Sequence, residues 1–79
     1  MQGVVFDLSK VTGEDMDAFT QANRVGDVKG QALGLSKVIV SCPAEWGDPS
    51  DPQTYLKQPF FSVQKPLISA FFDEANGKN

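Results

Sequence analysis

The side chains that could do chemistry in this chain are few, and their spacing argues against catalysis. There is no histidine, which removes the commonest general base and the commonest metal ligand. Serines, aspartates and lysines are present, but none stands in a recognised nucleophile spacing. Glu45, Asp48 and Asp51 gather around Gly47 and suggest an oxygen-ligand calcium site. They lack the alternating ligands and closing glutamate of an EF-hand loop. The simpler reading makes Asp48 and Asp51 turn and cap residues before prolines. Cys42, the single cysteine, has no basic neighbour in sequence to lower its pKa and reads as a small apolar filler at a helix end. The expectation is a protein without enzymatic activity, metal or cofactor, and the sequence is better read for binding surfaces.

Trp46 heads that search, as an interface anchor or a core anchor with equal claim. It lies in Cys42 to Leu56, which holds the single Trp, Tyr and Cys and three of the five prolines. Each proline removes a backbone donor and fixes φ, so no long helix or central strand runs through. Trp46, Tyr55 and Leu56 are larger than a loose linker needs, which predicts an ordered connection pinned onto a helical core. Asp51-Pro52 places a cap before a proline at the first helical position, giving a short helical turn over 52–57. The pair Phe71-Phe72 covers more arc than one neighbouring helix buries, and in a domain this small some of Phe60, Phe61, Ile68 and Phe72 are expected to stay exposed. They read either as core or as an apolar partner-binding patch.

The elements that must position these residues follow from caps and periodicity. Residues 3 to 8 read as an extended N-terminal arm, lying across the helices or pairing with another chain. Thr12 is an N-cap with Asp15 in the capping-box position, and Val11 and Met16 occupy the staple positions. The first helix is predicted over about 13–24, with Met16, Phe19, Ala22 and Ala18 on its apolar face. Gly26 and Asp27 end it and cap the next, making an αα-hairpin. The second helix is predicted over about 28–41, although 37–42 alone also reads as a strand. Gly30 and Gly34 weaken it by ~1 kcal/mol each relative to alanine, but place two bare positions on one face where a neighbour can approach. The last helix is predicted over about 62–76. Pro66 either sits in its first turn or kinks a longer helix. The fold class is therefore all-α, a small three-helix domain spanning 1–79.

Composition limits the partners. Net charge is −3 and the seven Lys and Arg are scattered, so nucleic acid and anionic membranes are poor ligands. No apolar run approaches the ~20 residues of a membrane span. The opening Met1 to Asp7 has no basic n-region and predicts no signal peptide. A lone cysteine fits a reducing cytoplasm.

The layout carries a resemblance. Phe6-Asp7-Leu8-Ser9-Lys10-Val11-Thr12 precedes a helix, and Gly26-Asp27 opens a second. Cys42-Pro43, Trp46-Gly47-Asp48-Pro49 and Asp51-Pro52 with Tyr55-Leu56 follow, then a Phe-rich terminal helix. Over most of its length this pattern resembles the small tail assembly chaperones of long-tailed bacteriophages. The resemblance implies a cytoplasmic protein of the bacterial host. It would bind the long, helical tape measure protein and keep it soluble while tail tube subunits assemble, without ATP. It also implies self-association along that client, and a second form extended by ribosomal slippage. The codons of Gly77-Lys78-Asn79 can form a slippery A-rich heptamer. The partner-binding surface would draw on Phe60, Phe61, Ile68, Phe72 and Trp46. The alternative is a small structural or adaptor subunit of a virion.

Overall fold

The computed structural model describes residues 3–77, and Lys78 and Asn79 of the slippage reading lie outside them. Strand β1 (Val5–Phe6) leads to helix α1 (Gly13–Val25) and helix α2 (Val28–Val38), followed by strand β2 (Ile39–Ser41). A 3₁₀ turn (Ala44–Trp46), helix α3 (Pro52–Leu56) and a π-helical turn (Phe60–Gln64) run into helix α4 (Lys65–Ala75). The architecture is mostly helical, as the caps and periodicity predict, with one small strand pair added.

The starts of α1, α2 and α3 are written in local polar chemistry. At α1, Thr12 Oγ1 accepts from the Asp15 N–H at 3.1 Å while the Thr12 N–H donates to Asp15 Oδ2 at 3.3 Å. These two bonds complete the capping box and satisfy donors that no helical carbonyl can reach. Asp15 also meets Lys37 Nζ at 3.2 Å, tying α1 to α2 on the surface. Gly26 takes the left-handed conformation with φ 74°, which glycine adopts without steric cost. Asp27 then caps α2 by accepting from the Gly30 N–H at 3.0 Å. Only two residues separate the helices, so α1 and α2 fold back as an antiparallel hairpin.

The hairpin closes tightly because α2 is bare where α1 is bulky. A Cβ placed on Gly34 would lie 2.6 Å from Cγ of Phe19, and one on Gly30 would lie 2.9 Å from the Ala22 Cβ. The helix-propensity cost of both glycines is thus offset by close packing. Phe19, Ala32, Leu35, Val38, Ile39, Tyr55, Leu67, Ile68 and Phe71 form the core. Phe19 stacks on Phe71 with ring centroids 4.8 Å apart, inside the range that favours offset aromatic pairs. Ala18, expected on the apolar face of α1, is exposed.

The second helix ends three residues earlier than periodicity predicts. Val38 is its last residue, and Ile39–Ser41 instead pairs antiparallel with Val5–Phe6, Phe6 opposite Ile39 and Val5 opposite Ser41, with a bulge between. The N-terminal arm therefore pairs within its own chain. Ile39 and Val40 are β-branched, which costs little in a strand and more in a last helical turn. The Asp7 N–H reaches the Val38 carbonyl at 2.8 Å, so the arm satisfies a carbonyl that the helix end leaves free.

Of the two predicted treatments of Pro66, the first-turn placement is found, since Pro66 is the second residue of α4. A π-turn leads directly into that helix, and in it the Gln64 N–H reaches back five residues to the Pro59 carbonyl at 3.2 Å. A proline ring normally collides with the carbonyl four residues earlier. The π-turn lies directly before Pro66, and such wider turns occur as single-turn interruptions of helices. No helix among the described residues is long and apolar enough to cross a membrane.

Candidate partner-binding site

The five residues expected to form a partner surface fall into three places. Phe60 and Phe61 lie together on the π-turn at one corner, rings edge to face with centroids 5.0 Å apart. Phe61 is 77% exposed, the most exposed of the large apolar side chains among the described residues. Trp46 sits on the Cys42–Leu56 connection, half-buried, its ring edge-on to Tyr55 at 6.5 Å. Phe72 is half-buried against Phe19 at 5.2 Å. Ile68 is only 5% exposed and belongs to the core. Its place in the expected surface is corrected: α4 turns Ile68 inward with Leu67 and Phe71, leaving it little area to offer a partner.

The Phe60–Phe61 corner is held by its flanks. Pro59 precedes it and Pro66 follows it, and prolines restrict the backbone at both ends. Gln64, at the end of the π-turn, is buried and donates from Nε2 to the Val28 carbonyl at 3.3 Å. That bond fixes the corner against the start of α2. Lys65 Nζ lies 5.7 Å from the centre of the Phe61 ring, within the range of a cation–π contact. Lys65 is the residue that sequence reasoning passed over. Its signal was the i, i+4 spacing from Phe61, which puts both on one helical face.

The segment that carries this corner differs in charge from the whole protein. From Pro52 to Phe72 the chain carries two charges, Lys57 and Lys65, whereas the net charge overall is −3. Neither lysine makes an ion pair with a described residue. The corner therefore pairs an exposed aromatic ring with a lysine that is in no ion pair with a described residue.

A second apolar feature was not foreseen. Leu8, Val11, Met16, Phe71 and Ala75 line an open groove of about 220 Å³ between the arm, the start of α1 and the end of α4. Val11 and Met16, at the two staple positions flanking the Thr12 cap, both line this groove.

The Cys42–Leu56 connection is anchored rather than reactive. Tyr55 is fully buried and its hydroxyl donates to the Pro49 carbonyl at 2.6 Å. Burial, then the nearby Cys42 and Asp48, hold the Tyr55 phenol above its ordinary range. Cys42 is likewise raised, by burial first and then by Asp48 and Glu45, the opposite of what a reactive thiolate needs. Asp48 accepts from the Ser50 N–H and hydroxyl at 2.9 and 2.7 Å. Asp51 accepts from the Gln53 N–H at 2.9 Å. Both carboxylates serve a turn and a cap, and among the described residues no three metal-ligating side chains come together.

Comparison with protein families, characterised proteins and solved structures finds no match.

Proposed function

We propose that this chain is a phage tail assembly chaperone, holding amphipathic helices of a tape measure protein on its surface until tail subunits enclose them. The reading rests on the sequence resemblance, and the observation that carries it in the fold is the Phe60–Phe61 corner. An exposed aromatic side chain flanked by a second ring is a poor use of a phenylalanine unless something covers it. The groove of Leu8, Val11, Met16, Phe71 and Ala75 offers a further apolar recess for a side chain of the same client. Helix-in-groove recognition needs this combination of rigid apolar anchors spaced along a surface. The role is one of binding, with no step of covalent chemistry.

The test is co-expression with the tape measure protein encoded alongside this chain, followed by pull-down and measurement of soluble client. The client is expected to be soluble only when the chain is present, and to lose that protection with Phe61→Asp. An indifferent client, with the chain found in stoichiometric amount in purified particles, would overturn the reading in favour of a structural subunit.

A further inference from the structure

The geometry points to an acidic amphipathic segment as the occupant of the Phe60–Phe61 corner: we propose that an apolar side chain packs on the Phe61 ring while carboxylates beside it meet Lys65 and Lys57. This inference rests on the proposal that the corner contacts a protein partner, and adds the chemistry of that partner. Three observations select the acidic class. Lys65 already stands 5.7 Å from the ring centre of Phe61, so whatever covers that ring also meets the ammonium group. Lys57, three residues before Phe60, adds a second positive charge, and no acidic residue occurs from Pro52 to Phe72. Neither lysine is neutralised by a described residue. A basic flank on the partner would face like charge here, while an acidic one is attracted. Such complementarity sets partner choice and encounter rate more than raw affinity.

The corner is also prepared to act as an anchor. The Phe60 ring meets Phe61 edge-on, and the buried Gln64 amide ties the turn to Val28. A partner therefore meets an aromatic pair whose backbone is already ordered, which lowers the cost of binding.

The experiment uses two fluorescent model peptides with the same leucine face on a helix, one flanked by glutamates and the other by lysines. Anisotropy titrations with the full chain are expected to show the glutamate peptide binding at least about tenfold more tightly than the lysine peptide. Phe61→Ala should weaken the glutamate peptide about tenfold or more. Lys65→Glu should abolish the preference between the two peptides, because the new carboxylate offsets the charge of Lys57. Added salt should weaken the glutamate peptide. Both side chains are exposed, and Lys65→Gln, which should reduce the preference without abolishing it because Lys57 remains, guards against a folding effect of the glutamate. Equal affinity for both peptides, preference for lysine flanks, binding unchanged by either substitution, or no binding at all would each overturn the inference. The two proposals fail separately. If the tape measure protein is held through Phe61 but the peptides show no charge preference, only the acidic class falls. If the glutamate peptide binds through Phe61 and Lys65 but the tape measure protein is ignored, only the chaperone role falls.

Discussion

Two Phe-Phe pairs sit in this chain, and they meet opposite fates. Phe71–Phe72 and Phe60–Phe61 have nearly the same internal spacing, with ring centroids 5.2 and 5.0 Å apart. Phe71 is fully buried, whereas Phe61 is 77% exposed. The difference lies in what faces each pair. Phe19 of α1 stands near both rings of the first, at 4.8 Å from Phe71 and 5.2 Å from Phe72. It can stand there because Gly34 leaves room for its ring. Among the described residues no third ring stands against the second pair, and the Lys65 ammonium lies over Phe61. A dipeptide therefore does not determine burial; a neighbour from elsewhere in the chain does.

The sharpest test of that contrast is to remove one ring from each pair. Phe71→Ala should destabilise the domain by about 3–5 kcal/mol, the usual cost of emptying a buried phenylalanine site. For a chain this small that is a large share of total stability, so urea unfolding should show a much lower midpoint or no cooperative transition. Next in size is Gly34→Ala. The added Cβ would fall 2.6 to 2.9 Å from three atoms of the Phe19 ring, and overpacking of this kind costs about 1–3 kcal/mol. The gain in helix propensity, about 1 kcal/mol, offsets only part of it. A lower melting temperature is expected, and a higher one would mean that Phe19 is free to move aside.

A smaller effect should appear in acid. The Thr12 backbone bond, followed by the Lys37 contact, holds the Asp15 carboxyl below its ordinary range. A depressed folded-state pKa gives stability that is present above the unfolded value and is lost as pH falls through the folded one. The melting temperature should therefore fall below about pH 4. Asp15→Asn should flatten that fall without removing it, because Asp7 and Asp48 are lowered too, chiefly by bonds from Ser9 and Ser50. The slightest effect on stability belongs to Phe61→Ala, which should stay within about 0.5 kcal/mol, as exposed substitutions do. A loss comparable to that of Phe71→Ala would end the comparison, since it would mean that Phe61 is part of the core.

Much of the frame was legible because it is local. Thr12 with Asp15, Gly26 with Asp27, and Asp51 with Pro52 each announce a boundary within four residues, and the structure places boundaries there. Gly30 and Gly34 could be read as a face for close approach, although not as the seat of Phe19. What stayed illegible depends on distant partners. Ile39–Ser41 leaves the helix for a strand because an arm more than thirty residues earlier supplies the pairing. Ile68 and Phe61 are both large and apolar, and nothing near either in sequence says which one the other helices will cover. The groove was hidden for the same reason, since its walls come from the arm, α1 and α4. Lys65 was visible in spacing, but weighing apolar residues alone left it out.

The π-turn gives the aromatic corner a phase of its own. An α-helix advances about 100° per residue, so deleting one residue between Phe60 and Gln64 would swing the earlier side chains about 100° around its axis relative to Leu67 and Phe71, and would leave Pro66 facing the carbonyl four residues earlier. The packed face and the presented face are carried by one continuous helix, yet the angle between them is set by a single extra residue in its first turn.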